Sequence, residues 1–467
     1  MKIVVVGAGT AGLIAAITIK NRFENFEVDI IKSDKIGIIG VGEGSTEHWK
    51  SFCEFNNISF KELIKETDAT LKYGVMFSDW TNKNYLHNVD ADLFNLKLGQ
   101  YSAGYGFCIK NNLDSKKYTN PFCWDNKISL DYLCNQFHFN TIKLNNFLVK
   151  KCKEVGINFI EDEIKEVIVT NKIKSLIGNK NYKYDFYIDC TGFKKKLISK
   201  LGSKWLSYKK YLPMNEAIAF PTEDTDEYTP YTLAKAMSSG WMWRIPTNGR
   251  WGNGYVYDNN YLNCEEAKKE CESYLGKNIN VAKNIKFEAG ALDKAWVENC
   301  VAIGLSSSFI EPLEASSIGT SIQQSFLLIH LISNYQQKDI DLYNRKFTSI
   351  VENIRDFVLL HYICGKKDSK FWKEFKPKIP DSLKDILEKS KKRLLIKEDF
   401  DNDYLLFTEV NFTIILKELN LLNLKNISNE YDNLSKHLKI LTEKNVMKIL
   451  NKKHNLISHK QFLNNYV

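Results

Sequence analysis

Three short stretches hold residues whose types and spacing could do chemistry. "GAGTAG" places Gly7, Gly9 and Gly12 between the apolar run "KIVVV" and the helical text "TAGLIAAITIKNRF". The first glycine permits a tight turn, the second lets the backbone approach a pyrophosphate, and the third lets the helix pack closely on the strand, so that helix amides face phosphate. "EPLEASS" holds two carboxylates, Glu311 and Glu314. A carboxylate can take a proton from a reacting ring or stabilise a cation beside it. In "GWMWRIP", Trp241 and Trp243 are separated by one residue and followed by Pro246. On a strand both indoles would point to the same face as a thick apolar wall, and the proline would fix the exit of the chain.

The glycine fingerprint binds a dinucleotide without distinguishing FAD from NAD. An acid should end the second strand, "EVDIIK", and hold the ribose hydroxyls. Lys32 takes that place, followed by Ser33 and Asp34. A later run, "YDFYIDCTGF", bears on the choice of cofactor. FAD proteins of the two-domain hydroxylase type return late to the nucleotide sheet and turn on small residues after an Asp, a pattern matched by Asp189, Thr191 and Gly192. No second glycine fingerprint for a nicotinamide is visible. Without further context, Glu311 suits a carboxylate at a helix start, complementing the dipole.

The elements that must position these residues begin with a strand, a helix and a strand at the very start of the chain. Strand-like runs such as "NGYVYDN" and "CVAIGL" then alternate with helices such as "FHFNTIKLNNFLVKKCKEVG". After Ser325 the text is almost wholly helical, with "KPKIPDS" as its firm breaker. At 467 residues the chain exceeds one compact core. Its 44% hydrophobic and 26% charged content is that of an ordinary globular protein. The net charge of +9 comes from scattered lysines, which read as a solvated surface and predict no nucleic-acid partner. Ten cysteines occur without a CxxC pair or a zinc-like Cys/His cluster, so neither a metal site nor a disulfide scaffold is expected and a cytoplasmic location fits. No stretch is apolar for the roughly 20 residues of a spanning helix, so no membrane partner is expected.

"GWMWRIP" resembles the WxWxIP signature of flavin-dependent halogenases, the tryptophan halogenase family. Other segments resemble that family in the same order: "IGVGEGST" its flavin strap, "ATLKYGVMFSDW" its lysine segment, "IDCTGF" its late flavin strand, and "AWVENCVAIGLSSSFIEPLEASSIG" its glutamate segment. "HYICGKKDSKFW" and the tail "ISHKQFLNNYV" look like family text in the helical lobe.

The resemblance implies an α/β fold. An FAD-binding, Rossmann-like body of the two-domain flavoprotein monooxygenase type would span residues 1–330, with an inserted substrate-side sheet. A mostly helical lobe, residues 331–467, would complete the substrate pocket. The implied cofactor is FAD, used as FADH2 from a separate flavin reductase, with O2 and a halide ion, chloride, bromide or iodide. The product would be hypohalous acid, led to an electron-rich aromatic such as tryptophan, indole or a phenol. The implied flavin contacts are Gly7, Gly9, Thr10, Ala11, Gly12, Gly42, Glu43, Asp189, Gly192 and Gly304. Taken alone, Lys72 would be placed on the surface; the resemblance makes it the lysine that guides the oxidant. The same resemblance makes Glu314 the base, gives the halide to the amides of Ser316 and Ser317, and makes Trp241, Trp243 and Pro246 the barrier between flavin and substrate. His87 and Phe412 would stand at the substrate pocket, His87 as a ring-packing histidine. Ala315, Ser316 and Ser317 replace the Ser-Thr-Gly usual in tryptophan-specific members, which leaves substrate and halide open. The leucine-rich lobe is compatible with a homo-oligomer. Two other readings stand beside this one: a single-component FAD aromatic hydroxylase, and a non-catalytic flavin-binding protein.

Overall fold

The computed structural model describes residues 1–37, 43–88, 93, 100–134 and 136–466. Lys2–Val6 forms a buried strand, Thr10–Arg22 a helix and Glu27–Lys32 a second strand parallel to the first, as the opening text predicts. The apolar run needs cover on both faces, and it has it: Ile3, Val4 and Val5 are fully buried. Around this unit lies a six-stranded sheet in the order Trp296–Val297, Cys300–Ala302, Phe186–Asp189, Lys2–Val6, Glu27–Lys32, Asn158–Glu161. "FYID" therefore does return late to the nucleotide sheet, pairing parallel with the first strand so that Val6 stands beside Asp189.

The glycine loop is fixed by close approach. A Cβ on Gly7 would fall 2.2 Å from the Cys190 carbonyl oxygen, and one on Gly12 would fall 2.1 Å from the Gly7 carbonyl oxygen. Gly7 also sits at φ +112°, a conformation that side chains disfavour. Gly9 differs, because a Cβ there would meet nothing within 4 Å.

A second, seven-stranded sheet runs Lys283–Lys286, Glu216–Glu223, Arg250–Tyr257, Gly240–Thr247, Thr232–Met237, Gly74–Ser78, Tyr85–Asn88. It carries both tryptophans on a central strand and His87 on its edge strand. Pro246 lies inside Gly240–Thr247, one residue before its end, past Arg244, the last residue paired with Thr232–Met237. A proline is tolerated there because the ladder on that side has already stopped. A small three-stranded sheet, in the order Glu43–Gly44, Phe137–Phe139, Thr70–Leu71, has Lys72 immediately after its last-named strand and touches the strand that carries the tryptophans.

Two segments differ from the sequence expectation. "FHF" at Phe137–Phe139 is a strand, and the helix begins only at Thr141, where the Asn140 side chain accepts from the Lys143 amide as an N-cap. The tail does not stay with the helices that precede it. Leu456–Ser458 pairs antiparallel with Lys127–Ser129 before the last helix, His459–Tyr466. Between Leu331 and Leu456 the chain is helical, dominated by Gln337–Tyr362, whose final turns from Asn353 to Tyr362 are buried throughout.

Gly12→Ala is expected to lower stability by roughly 1–3 kcal/mol through overpacking, whereas Gly9→Ala unfolds with the parent. Thermal unfolding of both variants decides this, and equal midpoints would contradict the packing argument.

Candidate active site

A cavity of about 850 Å³ runs from the glycine loop to the second sheet. At one end its wall is Gly7–Gly12; at the other it is Thr232, Trp243, Ile245 and the stretch from Ala315 to Ile318. The helix Thr10–Arg22 starts at Gly9 with no side-chain cap and no acid in its first turn, leaving its first amides to the cavity. Thr10, Ala11, Gly192 and Gly304 also line it. Gly304 sits at φ +70°, and a Cβ there would fall 2.5 Å from the Ala11 side chain, so the two loops close over each other. These features fit a dinucleotide: open backbone at Gly9, uncapped amides, and ample room.

Three expected flavin contacts have a different standing. Gly42 lies outside the described residues. Glu43 is placed as a strand residue opposite Phe139. Asp189 is fully buried and outside the cavity wall; its carboxylate accepts from the amides of Thr191, Leu197 and Ile198 at 3.0, 2.8 and 2.9 Å. It organises the turn that presents Gly192, in place of the direct contact expected. Lys32 pairs with Asp34 and lies 3.6 Å from Glu161, and both Lys32 and Asp34 line the cavity.

Beyond the cavity wall at Gly44 and Ala315 lies Lys72. A Cβ on Gly44 would stand 3.2 Å from that of Ala315 and 3.5 Å from the Lys72 ammonium. Lys72 is 1% exposed, and its Nζ donates to the Ser45 carbonyl at 2.9 Å. Burial pushes this ammonium down to about 8, against the opposing pull of Glu314.

Glu314 ends a short 3-10 turn, Pro312–Glu314, just before the helix Ser316–Leu331. His87 Nδ1 lies 2.9 Å from both of its oxygens, and His361 Nε2 lies 2.9 Å from Oε1. The His87 tautomer follows from its other side. The Thr408 amide donates to Asn411 Oδ1, which turns Asn411 Nδ2 toward His87 Nε2 at 3.2 Å and leaves the His87 proton on Nδ1. His361 is stacked on Phe77 at 4.2 Å, with Tyr85 OH 3.3 Å from its Nδ1. Burial would raise the Glu314 carboxyl, but the two histidines outweigh it and hold it at about 2. Glu314 is therefore an anion at neutral pH. His361 is the residue that sequence reasoning missed. It lies in the quoted "HYICGKKDSKFW", but only the fold brings it to Glu314.

Glu311 is the N-cap residue of the 3-10 turn Pro312–Glu314, but its side chain caps nothing, and the α-helix begins only at Ser316, behind Ala315 in a left-handed conformation. It is fully buried, accepting from Trp241 Nε1 at 3.3 Å and Tyr362 OH at 2.9 Å. Burial pushes it up to about 8 against those two hydrogen bonds, so it keeps its proton at neutral pH. Trp241 and Trp243 share one face, ring centroids 6.1 Å apart. Trp243 lines the cavity and Trp241 stands outside its wall. A Cβ on Gly254 would fall 2.0 Å from the Trp243 ring, so that cross-strand glycine makes room for the indole.

Ser316 and Ser317 open the helix on the cavity wall, again with no side-chain cap. Phe412 is 1% exposed, its ring 5.0 Å from Phe357, which in turn lies 5.1 Å from His87. It packs behind the histidine and not beside Glu314. Among the described residues no helix is long and apolar enough to cross a membrane, and no His, Cys, Asp and Glu cluster could hold a metal.

The family model for tryptophan halogenase matches residues 2–434. The chain belongs to the tryptophan halogenase family. It is 29% identical over 451 residues to the tryptophan 6-halogenase of Streptomyces toxytricini, covering 84% of each chain. The solved structure of that protein superposes with a TM-score of 0.84, covering 100% of both chains at 26% identity. The tryptophan 7-halogenase of Lentzea aerocolonigenes is 27% identical over 451 residues, 87% of this chain and 84% of that one. A flavin-dependent halogenase from Brevundimonas sp. BAL3 shares the fold at a TM-score of 0.87 and 24% identity, covering 100% of this chain and 99% of that one. The α/β halogenase fold and the flavin-dependent halogenase activity expected from the motifs are thereby shown, and the hydroxylase and non-catalytic readings are not favoured.

Two expectations follow for this halogenase. Between about pH 8 and 10.5 the unfolded chain keeps the Lys72 proton that the folded state has released, so the parent gains stability with rising pH across that window. Lys72→Met removes this slope: relative to the parent it should gain stability as pH falls from 10.5 to 8 and hold constant below, read by chemical denaturation at each pH. A pH-independent difference would contradict the burial of a titrating ammonium. Glu314→Gln should lower the rate of product formation by about 10²-fold or more with flavin binding unchanged. Turnover near the parent's would remove Glu314 from the chemistry.

Proposed function

We propose that this halogenase is the second member of a two-component system, receiving FADH2 from a separate flavin reductase and acting on an electron-rich aromatic such as tryptophan, indole or a phenol. The observation that carries this reading is a buried lysine near pKa 8 and a buried carboxylate near 2, both one layer beyond the Gly44/Ala315 wall of the dinucleotide cavity. The body over residues 1–330 would house the flavin, and residues 331–467 would close the aromatic pocket.

Gly7, Gly9, Thr10, Ala11 and Gly12 would hold the pyrophosphate of FAD, with Gly192 and Gly304 along its length and the Lys32–Asp34 pair near the ribose. When bound and reduced, the flavin with O2 oxidises a halide ion by two electrons, giving hypohalous acid, water and oxidised flavin with uptake of one proton. The uncapped amides at Ser316 and Ser317 suit an anion and would hold the halide. Trp243 and Trp241 keep the aromatic and bulk water out of the flavin chamber, which prevents direct oxygenation of the ring. Glu311, kept protonated, fixes the Trp241 indole in that wall.

Lys72 receives the hypohalous acid by hydrogen bonding as an ammonium or reacts as the free amine; a pKa near 8 makes both forms available at neutral pH. The halogen adds to the ring as an electrophile. Its O–halogen bond breaks and the hydroxide leaves as water, taking a proton from the ammonium or from the amine as the haloamine forms, and the ring proton then leaves to Glu314. The cationic ring is a strong acid, so a carboxylate with a low pKa is a sufficient base, and its fixed charge stabilises the cation before the proton moves. His87 and His361 hold that charge in place.

The test supplies reduced FAD and oxygen with chloride, bromide and iodide in turn, a panel of aromatics, and mass spectrometry of the products. A halogenated arene is expected, with Lys72→Ala losing it while still releasing hypohalous acid. No product from flavin-replete protein under any combination overturns the proposal, and regiospecific product from Lys72→Ala overturns the role of the lysine.

A further inference from the structure

The last segment of the chain reaches the backbone that carries Lys72. Thr70–Leu71 is a two-residue strand paired on one side with Phe137–Phe139. The Lys72 amide donates to the Gln136 carbonyl at 2.9 Å. The Leu71 amide is buried, and its partner is the His459 imidazole, whose Nε2 accepts at 2.9 Å across 388 residues of sequence. A buried amide must be paired, so that imidazole sets where the backbone before Lys72 sits.

His459 is itself held firmly. The preceding residues Leu456–Ser458 are paired with Lys127–Ser129, and the Asn455 amide donates to Asp131 at 2.6 Å. The following Lys460 pairs with Asp224 at 2.8 Å, and Phe462 and Leu463 are buried. The Tyr228 ring meets the imidazole edge-on at 6.1 Å. The tail residues, Asn455 to Leu463, lie beyond residue 434, where the match to the family model ends.

We propose that His459 is a positioning residue for Lys72: as a hydrogen-bond acceptor for the Leu71 amide, it fixes the backbone from which the lysine reaches the oxidant. This rests on the reading of Lys72 given above. The acceptor role needs an unprotonated Nε2, and burial, which pushes the imidazole down to about 4, keeps it so at neutral pH. A shift of the Leu71 amide moves the whole lysine stem and breaks its aim. The flavin cavity, lined by other residues, is untouched.

The measurement is coupling: halogenated arene formed per flavin oxidised, with released hypohalous acid and FAD affinity recorded alongside. His459→Gln keeps an acceptor near the Nε2 position, whereas His459→Asn is polar but too short to reach the amide. His459→Phe keeps the ring without the acceptor. The expected result is at least half of parental coupling for Gln, a tenfold or greater loss for Asn and Phe, more free hypohalous acid, and FAD affinity within twofold of the parent. Should Phe fail to fold, the Gln and Asn pair decides alone. Parental coupling in the Asn variant, or an equal loss in Asn and Gln, overturns the proposal. Lys72→Ala run in parallel separates the two claims. If it loses product while all the His459 variants couple normally, only the histidine's role fails; if it keeps regiospecific product, the reading of the lysine fails first.

Discussion

A buried carboxylate survives as an anion only where polar groups surround it, and Glu314 has His87 hydrogen-bonded to it and the His361 ring nitrogen 2.9 Å away. Much of the surrounding structure follows from satisfying that one charge. His87 needs Asn411 to hold its tautomer, and Asn411 is held by the Thr408 amide at the start of its helix. His361 needs Phe77 beneath it and Tyr85 beside it, from the last two strands of the seven-stranded sheet. A sheet edge, the long helix Gln337–Tyr362 and the helix Glu409–Glu418 thus meet at two carboxylate oxygens.

The same short loop carries a second buried carboxyl in the opposite state. Glu311 has a tyrosine and an indole as donors, too little to offset its burial, and holds its proton. Glu314, three residues on, is ionised. Environment alone separates them, as in other enzymes that divide acid and base roles between neighbouring carboxyls. The neutral member hydrogen-bonds the Trp241 indole and the charged member acts electrostatically on the Lys72 ammonium, so the proposed wall and reaction site would share one loop.

The wall also explains the position of Lys72. In the proposed reaction an oxidant passes from the wide cavity to one carbon atom. At the cavity wall a Cβ on Gly44 would crowd both Ala315 and the Lys72 ammonium. The lysine follows directly on a small three-stranded sheet, whose Leu71 amide is met by His459 of the tail.

The sequence by itself determined whatever depends on neighbours along the chain. The glycine loop, its flanking strand and helix, and the two tryptophans on one face follow from backbone sterics and the two-residue repeat of a strand. The order of family motifs also disclosed the halogenase fold and named Lys72 and Glu314. Local rules failed where long-range contacts took over. Dipole reasoning gave the Glu311 carboxyl to a helix start, whereas Trp241 and Tyr362 take its side chain in the interior. Lys72, one lysine among many in the text, is enclosed on all sides. His361 and His459 carried no local signal, because each acquires its partner only across the fold. Ionisation states, which decide what these groups can do, were settled by the tertiary structure alone, since desolvation and opposing charges come from residues tens to hundreds of positions away.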